Sequence, residues 1–269
     1  MPTYRGGRHE YGQNFLVDQK VIADIIDLVK KTSGPIVEIG PGGGAITEPL
    51  SCLGRKVTAI DIDPKQARRV QKKLPDVAVI NQDFLRYPLP TSPHVIVGNL
   101  PFHITTAVLR KLLHAPGWSH AVLLVQWEVA RRRAGVGGAT MMTAQWWPWF
   151  EFRLHSRVSS SAFEPSPGVD GGLMVIARRG FPLLLTAQAG QYRSFVHAVY
   201  TGRGRGMREI VGRLLRSRTA TSEIRRWMEV EGLRPAVLPK DLDPAQWAGL
   251  FRLAVDLGWR PRGREQYAR

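Results

Sequence analysis

Two short stretches carry residue types that could act on a small molecule. Asn99-Leu100-Pro101-Phe102 offers a side-chain amide, main-chain carbonyls, a proline-stiffened turn and a flat aromatic face. Ile36-Val37-Glu38-Ile39-Gly40-Pro41-Gly42-Gly43-Gly44 reads as an apolar strand running into a glycine turn, where the backbone can approach a ligand because no Cβ stands in the way. Together they suggest a cofactor held beside a planar, hydrogen-bonding substrate. Gly40, Gly42 and Gly44 are spaced two apart, unlike the dinucleotide fingerprint, which argues against a nicotinamide-dependent oxidoreductase. Taken alone, the cluster reads equally well as a tight strand-to-helix turn.

The elements that must position these residues follow from the apolar pattern. Short β-branched runs near 36–39, 57–60, 77–80, 95–97 and 121–125 alternate with helical stretches near 46–53, 64–74 and 104–113. That alternation predicts parallel βαβ units in an α/β, doubly wound sheet. Two later runs, 150–158 and 173–177, read as strands that close the sheet as an antiparallel edge pair. Beyond Arg178-Arg179-Gly180 strand signals vanish and helices follow near 185–200, 207–215, 221–231 and 244–257. The expected division is therefore 1–180 for a catalytic domain and 181–269 for a small all-helical domain ending in a basic tail.

In such a sheet, ligands bind beyond the carboxyl ends of the strands. Asp61 closes the second strand run about 20 residues after the glycines, where a carboxylate can reach ribose hydroxyls. Asp63 competes for that role, but it precedes Pro64 and more simply caps the next helix. Asp83, followed by Phe84, ends the third run and could accept from an adenine amine; a solvated turn is its bland alternative.

Composition narrows the setting. The 269 residues carry a formal net charge of +16, which favours a polyanionic partner such as nucleic acid or an anionic membrane surface. Cys52 is the only cysteine, so neither a disulfide framework nor a Cys-rich zinc site is expected. The seven histidines show no metal-ligand spacing, and no apolar run approaches the roughly 18 residues of a membrane span. A metal-free cytoplasmic protein is expected, and a monomer.

Gly12-Gln13-Asn14-Phe15-Leu16, the turn from Glu38 to Gly44, Asp61, Asp83-Phe84 and Asn99-Leu100-Pro101-Phe102 occur in the order seen in the ribosomal RNA adenine dimethylases. From Gly12 to about Arg179 the chain resembles that family, whose members use S-adenosylmethionine. The resemblance implies a Rossmann-like methyltransferase domain with a seven-stranded, mostly parallel sheet. It also implies that Gln13, Asn14, Leu16, Glu38, Gly40, Gly42, Asp61, Ile62, Asp83, Phe84 and Asn99 bind the cofactor. Glu38 would sit under the methionine moiety and Asp61 would hold the ribose.

An exocyclic adenine amine is a poor nucleophile because its lone pair is delocalised into the ring. Acceptors that hold its N–H groups restore sp³ character, and the Asn99 side chain with the carbonyl of Leu100 or Pro101 could supply them. Phe102 offers a surface for a base taken out of its stack. Phe163, in Phe163-Glu164-Pro165-Ser166-Pro167-Gly168-Val169-Asp170, could cover the other face; as a bare sequence feature it reads equally as a loop anchor. The catalytic set is thus expected to be Asn99, Leu100, Pro101, Phe102 and Phe163.

Gln126-Trp127-Glu128-Val129-Ala130, Val169-Asp170-Gly171-Gly172 and Ala144-Gln145-Trp146-Trp147-Pro148-Trp149 look more like the actinobacterial Erm resistance enzymes than the housekeeping small-subunit dimethylases. That resemblance implies methylation of one adenine of 23S ribosomal RNA and resistance to macrolides, lincosamides and streptogramin B. A 16S dimethyltransferase and a noncatalytic nucleic-acid-binding protein are the alternatives. Two arginine groups are expected to contact RNA: Arg131, Arg132 and Arg133 after the fifth strand, and Arg203, Arg205 and Arg208 on a loop whose glycines suggest flexibility. Trp146, Trp147 and Trp149 are expected to pack against the sheet rather than stack on bases.

Overall fold

The computed structural model describes residues 14–215 and 218–261. It contains strands β1 (Phe15–Leu16), β2 (Ile36–Ile39), β3 (Val57–Asp61), β4 (Ala78–Asn81), β5 (His94–Asn99), β6 (Trp118–Gln126), β7 (Phe150–Val158), β8 (Phe163–Glu164) and β9 (Gly171–Arg178). The helices are α1 (Gln19–Lys30), α2 (Thr47–Ser51), α3 (Pro64–Lys73), α4 (Thr105–His114), α5 (Trp127–Arg133), α6 (Met141–Trp146), α7 (Ala189–Tyr200), α8 (Met207–Leu215), α9 (Arg218–Val230) and α10 (Pro244–Asp256). Each of the seven expected strand runs is present. The expected Gln13 cofactor contact and the basic tail past Pro261 lie outside the described residues.

Seven strands form one sheet in the order β4-β3-β2-β5-β6-β9-β7, and β1 pairs with β8 in a second, two-stranded sheet. Neighbours from β4 to β6 run parallel, while β6 and β9 are antiparallel. The expected edge pair is therefore refined: β9 inserts beside β6 and leaves β7 at the border. Strand β2, covered on both faces, is buried at every position, as its unbroken Ile-Val-Glu-Ile run implies. Its two parallel neighbours, β3 and β5, carry Asp61 and Asn99 at the same carboxyl edge.

Local chemistry sets the helix starts. The Asp18 carboxylate accepts the Lys20 and Val21 N–H groups, and Ile22, Ile25, Ile26 and Val29 form the buried stripe of α1. Asp63 caps α3 by accepting the Lys65 N–H, with Pro64 at the first helical position, so the simpler reading of Asp63 holds.

The chain divides into two compact units. The first comprises 14–131 and Arg153–Arg178; the second comprises Arg132–Phe152 and 179–261. The core of the second is aromatic. Tyr192 meets Trp149 and Phe251 edge-on at 5.6 and 5.3 Å, and Tyr200 stacks on Trp247. Trp147 and Trp149 are buried, and the Trp149 indole N–H donates to the Leu184 carbonyl. Trp149 thus packs on α7, which corrects the expectation of packing against the sheet for that residue, while Trp146 meets Phe150 of β7 edge-on at 5.9 Å as expected.

Candidate active site

A cavity of about 560 Å³ opens at the carboxyl ends of β2, β3 and β5 within the first unit. Its floor is the glycine turn. Gly40 has φ +65° and Gly42 φ +51°, left-handed values that side-chain-bearing residues rarely adopt. A Cβ on Gly42 would stand 3.0 Å from the Phe15 ring, so the turn needs glycine for close approach as well as for conformation. On the β3 side the Asp61 carboxylate, 3% exposed, accepts the Gly42 N–H at 3.2 Å and the Asp63 N–H at 2.8 Å. Burial pushes its pKa up, and those two backbone donors oppose the rise. The Asn81 side chain donates to the carbonyls of Asp61 and Ile62, which pins the loop after β3.

Of the residues expected to form the site, Asn14, Leu16, Gly40, Gly42, Asp61, Ile62, Asp83, Phe84, Asn99, Leu100, Pro101, Phe102 and Phe163 all line this one cavity. Glu38 does not. It lies behind the turn, 1% exposed, with Oε2 unpartnered among the described residues. Burial raises its pKa to about 8, the Asp61 charge adds to the rise, and the Thr47 side chain opposes it. In the unfolded chain this carboxyl ionises near 4.5, so between those values the folded protein holds a proton that the unfolded chain has shed. Stability therefore falls as pH rises across that window. Glu38→Gln is expected to raise Tm over the wild type by little at pH 5 and by several degrees at pH 9; equal differences at both pH values would contradict the buried, protonated carboxyl.

Sequence reasoning missed Phe15, Gln66, Arg69, Lys73 and Ile104 as lining residues. The α3 members fall at i, i+3 and i+7, a helical spacing that marks one face but does not say which strand end that face overlooks.

The Asn99 amide is oriented. Its Nδ2 donates to the Asn14 carbonyl at 2.9 Å, which leaves Oδ1 as the acceptor. The Pro101 carbonyl is engaged by the Ile104 N–H at 3.1 Å and the Thr105 hydroxyl at 3.3 Å. Phe163 is buried at the wall and pairs with Leu16 across β1 and β8, and the Ala162 carbonyl accepts the Val17 and Asp18 N–H groups. The segment carrying Asn14 is thereby strapped over the cavity.

The six arginines are not among the lining residues. Arg131 pairs with Glu128 at 2.9 Å and Arg133 donates to the Thr140 hydroxyl, while Arg132 is exposed. Arg203, Arg205 and Arg208 are all exposed. Their loop is packed rather than slack, which corrects the expected flexibility. A Cβ on Gly202 or Gly204 would meet the Ile210 side chain at 2.7 or 2.8 Å, and one on Gly206 the Pro235 carbonyl at 2.7 Å. These glycines are there for contact, so the arginines project from a fixed backbone. Among the described residues no cluster of His, Cys, Asp and Glu could hold a metal, and no helix is long and apolar enough to cross a membrane.

The family model described as "Ribosomal RNA adenine dimethylase" matches residues 5–254. The chain is 59% identical to an rRNA adenine N-6-methyltransferase of Corynebacterium diphtheriae, over 79% of this chain and 85% of that protein. It is 49% identical to the mycinamicin-resistance protein MyrB of Micromonospora griseorubida, over 95% of this chain and 82% of that one. The crystal structure of the 23S rRNA methyltransferase ErmE superposes with a TM-score of 0.82 at 34% identity, covering 90% of this chain and all of that one. A methyltransferase fold, an amide aimed from the end of β5, and a family match over nearly the whole length lead to one conclusion: the chain belongs to the ribosomal RNA adenine dimethylase family and is an rRNA adenine N6-methyltransferase.

Proposed function

We propose that this protein transfers a methyl group from S-adenosylmethionine to the exocyclic amine of one adenine in 23S ribosomal RNA, and so confers resistance to macrolides, lincosamides and streptogramin B. The observation that carries the reading is the Asn99 amide, tethered by Nδ2 to Asn14 and lining the same cavity as the glycine turn and Asp61. The resistance assignment draws on the likeness to MyrB, and the 23S target on the likeness to ErmE.

The residues present fit the cofactor. Gly40 and Gly42 leave the space that a Cβ would take, Asp61 retains lone pairs for ribose hydroxyls beyond its two backbone donors, and Ile62 and Phe84 give apolar walls for a purine. Glu38 is buried and off the cavity wall. When bound, the cofactor supplies a methyl group already activated by its sulfonium, so this chain's task is positioning.

Asn99 Oδ1 accepts one N–H of the target amine. Because the Pro101 carbonyl is engaged twice, the second acceptor is the Leu100 carbonyl. Two acceptors draw the nitrogen toward sp³ and aim its lone pair, with no general base needed before transfer. Phe102 and Phe163 flank the flipped base, each stack being worth roughly 1–3 kcal/mol. Arg132, Arg203, Arg205 and Arg208, with Arg131 and Arg133, contact phosphates, and the helical unit 179–261 acts with the tail as the RNA-binding part of a cytoplasmic monomer.

The test is transfer of tritiated methyl onto purified 23S and 16S RNA, followed by mapping of the labelled nucleotide. Label at one adenine of 23S RNA is expected. Label confined to two adjacent adenines of 16S RNA would mark a small-subunit dimethylase instead, and no label in either would remove the enzymatic reading.

A further inference from the structure

Phe163 opens the two-residue strand β8 directly after a one-turn 3-10 segment, Ser160–Ala162, and pairs with Leu16 of β1. A second hold on this segment lies at the far end of the loop. The Asp170 carboxylate accepts the Ser160 N–H on Oδ1 at 2.9 Å, and its Oδ2 takes both Nε and a terminal nitrogen of Arg157 at 2.8 Å. The Arg157 guanidinium in turn lies 5.3 Å from the centre of the Trp127 ring, and the Trp127 N–H donates to the Asp170 carbonyl at 2.9 Å. Asp170 thus ties together three elements: its carboxylate joins the end of β7 to the start of the 3-10 turn, and its main-chain carbonyl holds the start of α5.

The next residue completes the seat. A Cβ on Gly171 would stand 3.2 Å from Phe163 Cζ and 3.2 Å from Leu124, so the phenyl ring rests directly on the backbone that follows Asp170. Charge-assisted bonds of this kind are among the stronger ones available at a partly exposed position. The Ser160 N–H, and with it Arg157, holds the Asp170 carboxyl below the usual carboxylate range.

We infer that Asp170 is a positioning residue for methyl transfer: clamped by Arg157 and Ser160, it sets the Phe163 ring against the target base without touching base or cofactor itself. The inference rests on the proposed role of Phe163 as a base platform. It explains why an aspartate and an arginine 13 residues apart, neither on the cavity wall, are joined in so directed a geometry.

The experiment is a double-mutant cycle in the full chain, with kcat, KM for RNA and S-adenosylmethionine affinity measured for wild type, Phe163→Ala, Asp170→Ala and the double variant. If Asp170 acts through Phe163, the single changes each lower kcat about tenfold or more, the double variant is no worse than Phe163→Ala within about threefold, and cofactor affinity changes little. Arg157→Gln, which leaves the Ser160 bond in place, should show a smaller loss with the same non-additivity. Should Asp170→Ala fail to fold, Asp170→Asn closes the same cycle. Multiplicative losses, or an Asp170 variant with full kcat, would overturn the positioning role. An unaffected Phe163→Ala would instead overturn the platform reading beneath it.

Discussion

Replacing Asn99 with alanine is expected to lower kcat about a hundredfold to a thousandfold, the range typical when one preorganised polar partner of a transition state is lost. Two consequences of the structure make this loss large. The methyl group substitutes on a nitrogen whose lone pair must be localised, and Asn99 Oδ1 is one of only two acceptors that the end of β5 offers for that purpose. Moreover, Nδ2 holds the Asn14 carbonyl at 2.9 Å, so truncation also removes one of the bonds that hold the strap over the cavity. Binding of RNA should stay within about twofold of the wild type, because phosphate contacts supply most of the affinity. Asn99→Asp separates the two contributions: it keeps an oxygen toward the amine but sets a carboxylate against the Asn14 carbonyl, and should fall between alanine and wild type. Full activity in the alanine variant would refute the amide's role.

Charge reversal of Arg203, Arg205 and Arg208 together is expected to weaken RNA binding at least about a hundredfold at low salt and to flatten the salt dependence by about three in the log–log slope, near 0.9 for each phosphate contact removed. The effect should be that large because the loop is rigid. Gly202, Gly204 and Gly206 pack against Ile210 and the Pro235 carbonyl, so three exposed guanidinium groups are presented without the entropy of an ordering loop. The Arg205 main-chain N–H is further tied to Glu209, which also pairs with Arg213. At saturating RNA the turnover should be close to wild type. Filter binding across a salt series reads both quantities, and an unchanged slope would take the loop out of the interface.

Much of the fold is legible in the sequence because its signals are strong and local. Buried parallel strands need β-branched runs on both faces, and Ile36–Ile39, Val57–Asp61 and His94–Asn99 carry them; the carboxyl-edge placement of Asp61 and Asn99 follows from strand order alone. What stays hidden depends on pairing at a distance. The β1–β8 sheet is two residues per strand, and its register joins Leu16 to Phe163 with no periodicity to betray it. Helices α5 and α6 are too short for an amphipathic period, and nothing in composition signals that Arg132–Phe152 groups with residues 179–261. Glycine spacing misleads in the 202–206 loop, since glycine serves both slack and close contact and only the neighbours distinguish the two. Similarly, the Leu100 and Pro101 carbonyls are equivalent in sequence; the Ile104 and Thr105 donors tell them apart.

The central claim is geometric, and one distance tests it most directly: that from the target adenine N6 to Asn99 Oδ1 in a complex of this protein with S-adenosylhomocysteine and an RNA hairpin bearing the methylated site. A flipped adenine with N6 within about 3.2 Å of Asn99 Oδ1 and of the Leu100 carbonyl is the expected result. A base seated in the cavity with N6 turned away from both oxygens, or an adenine still stacked in its helix, would contradict it.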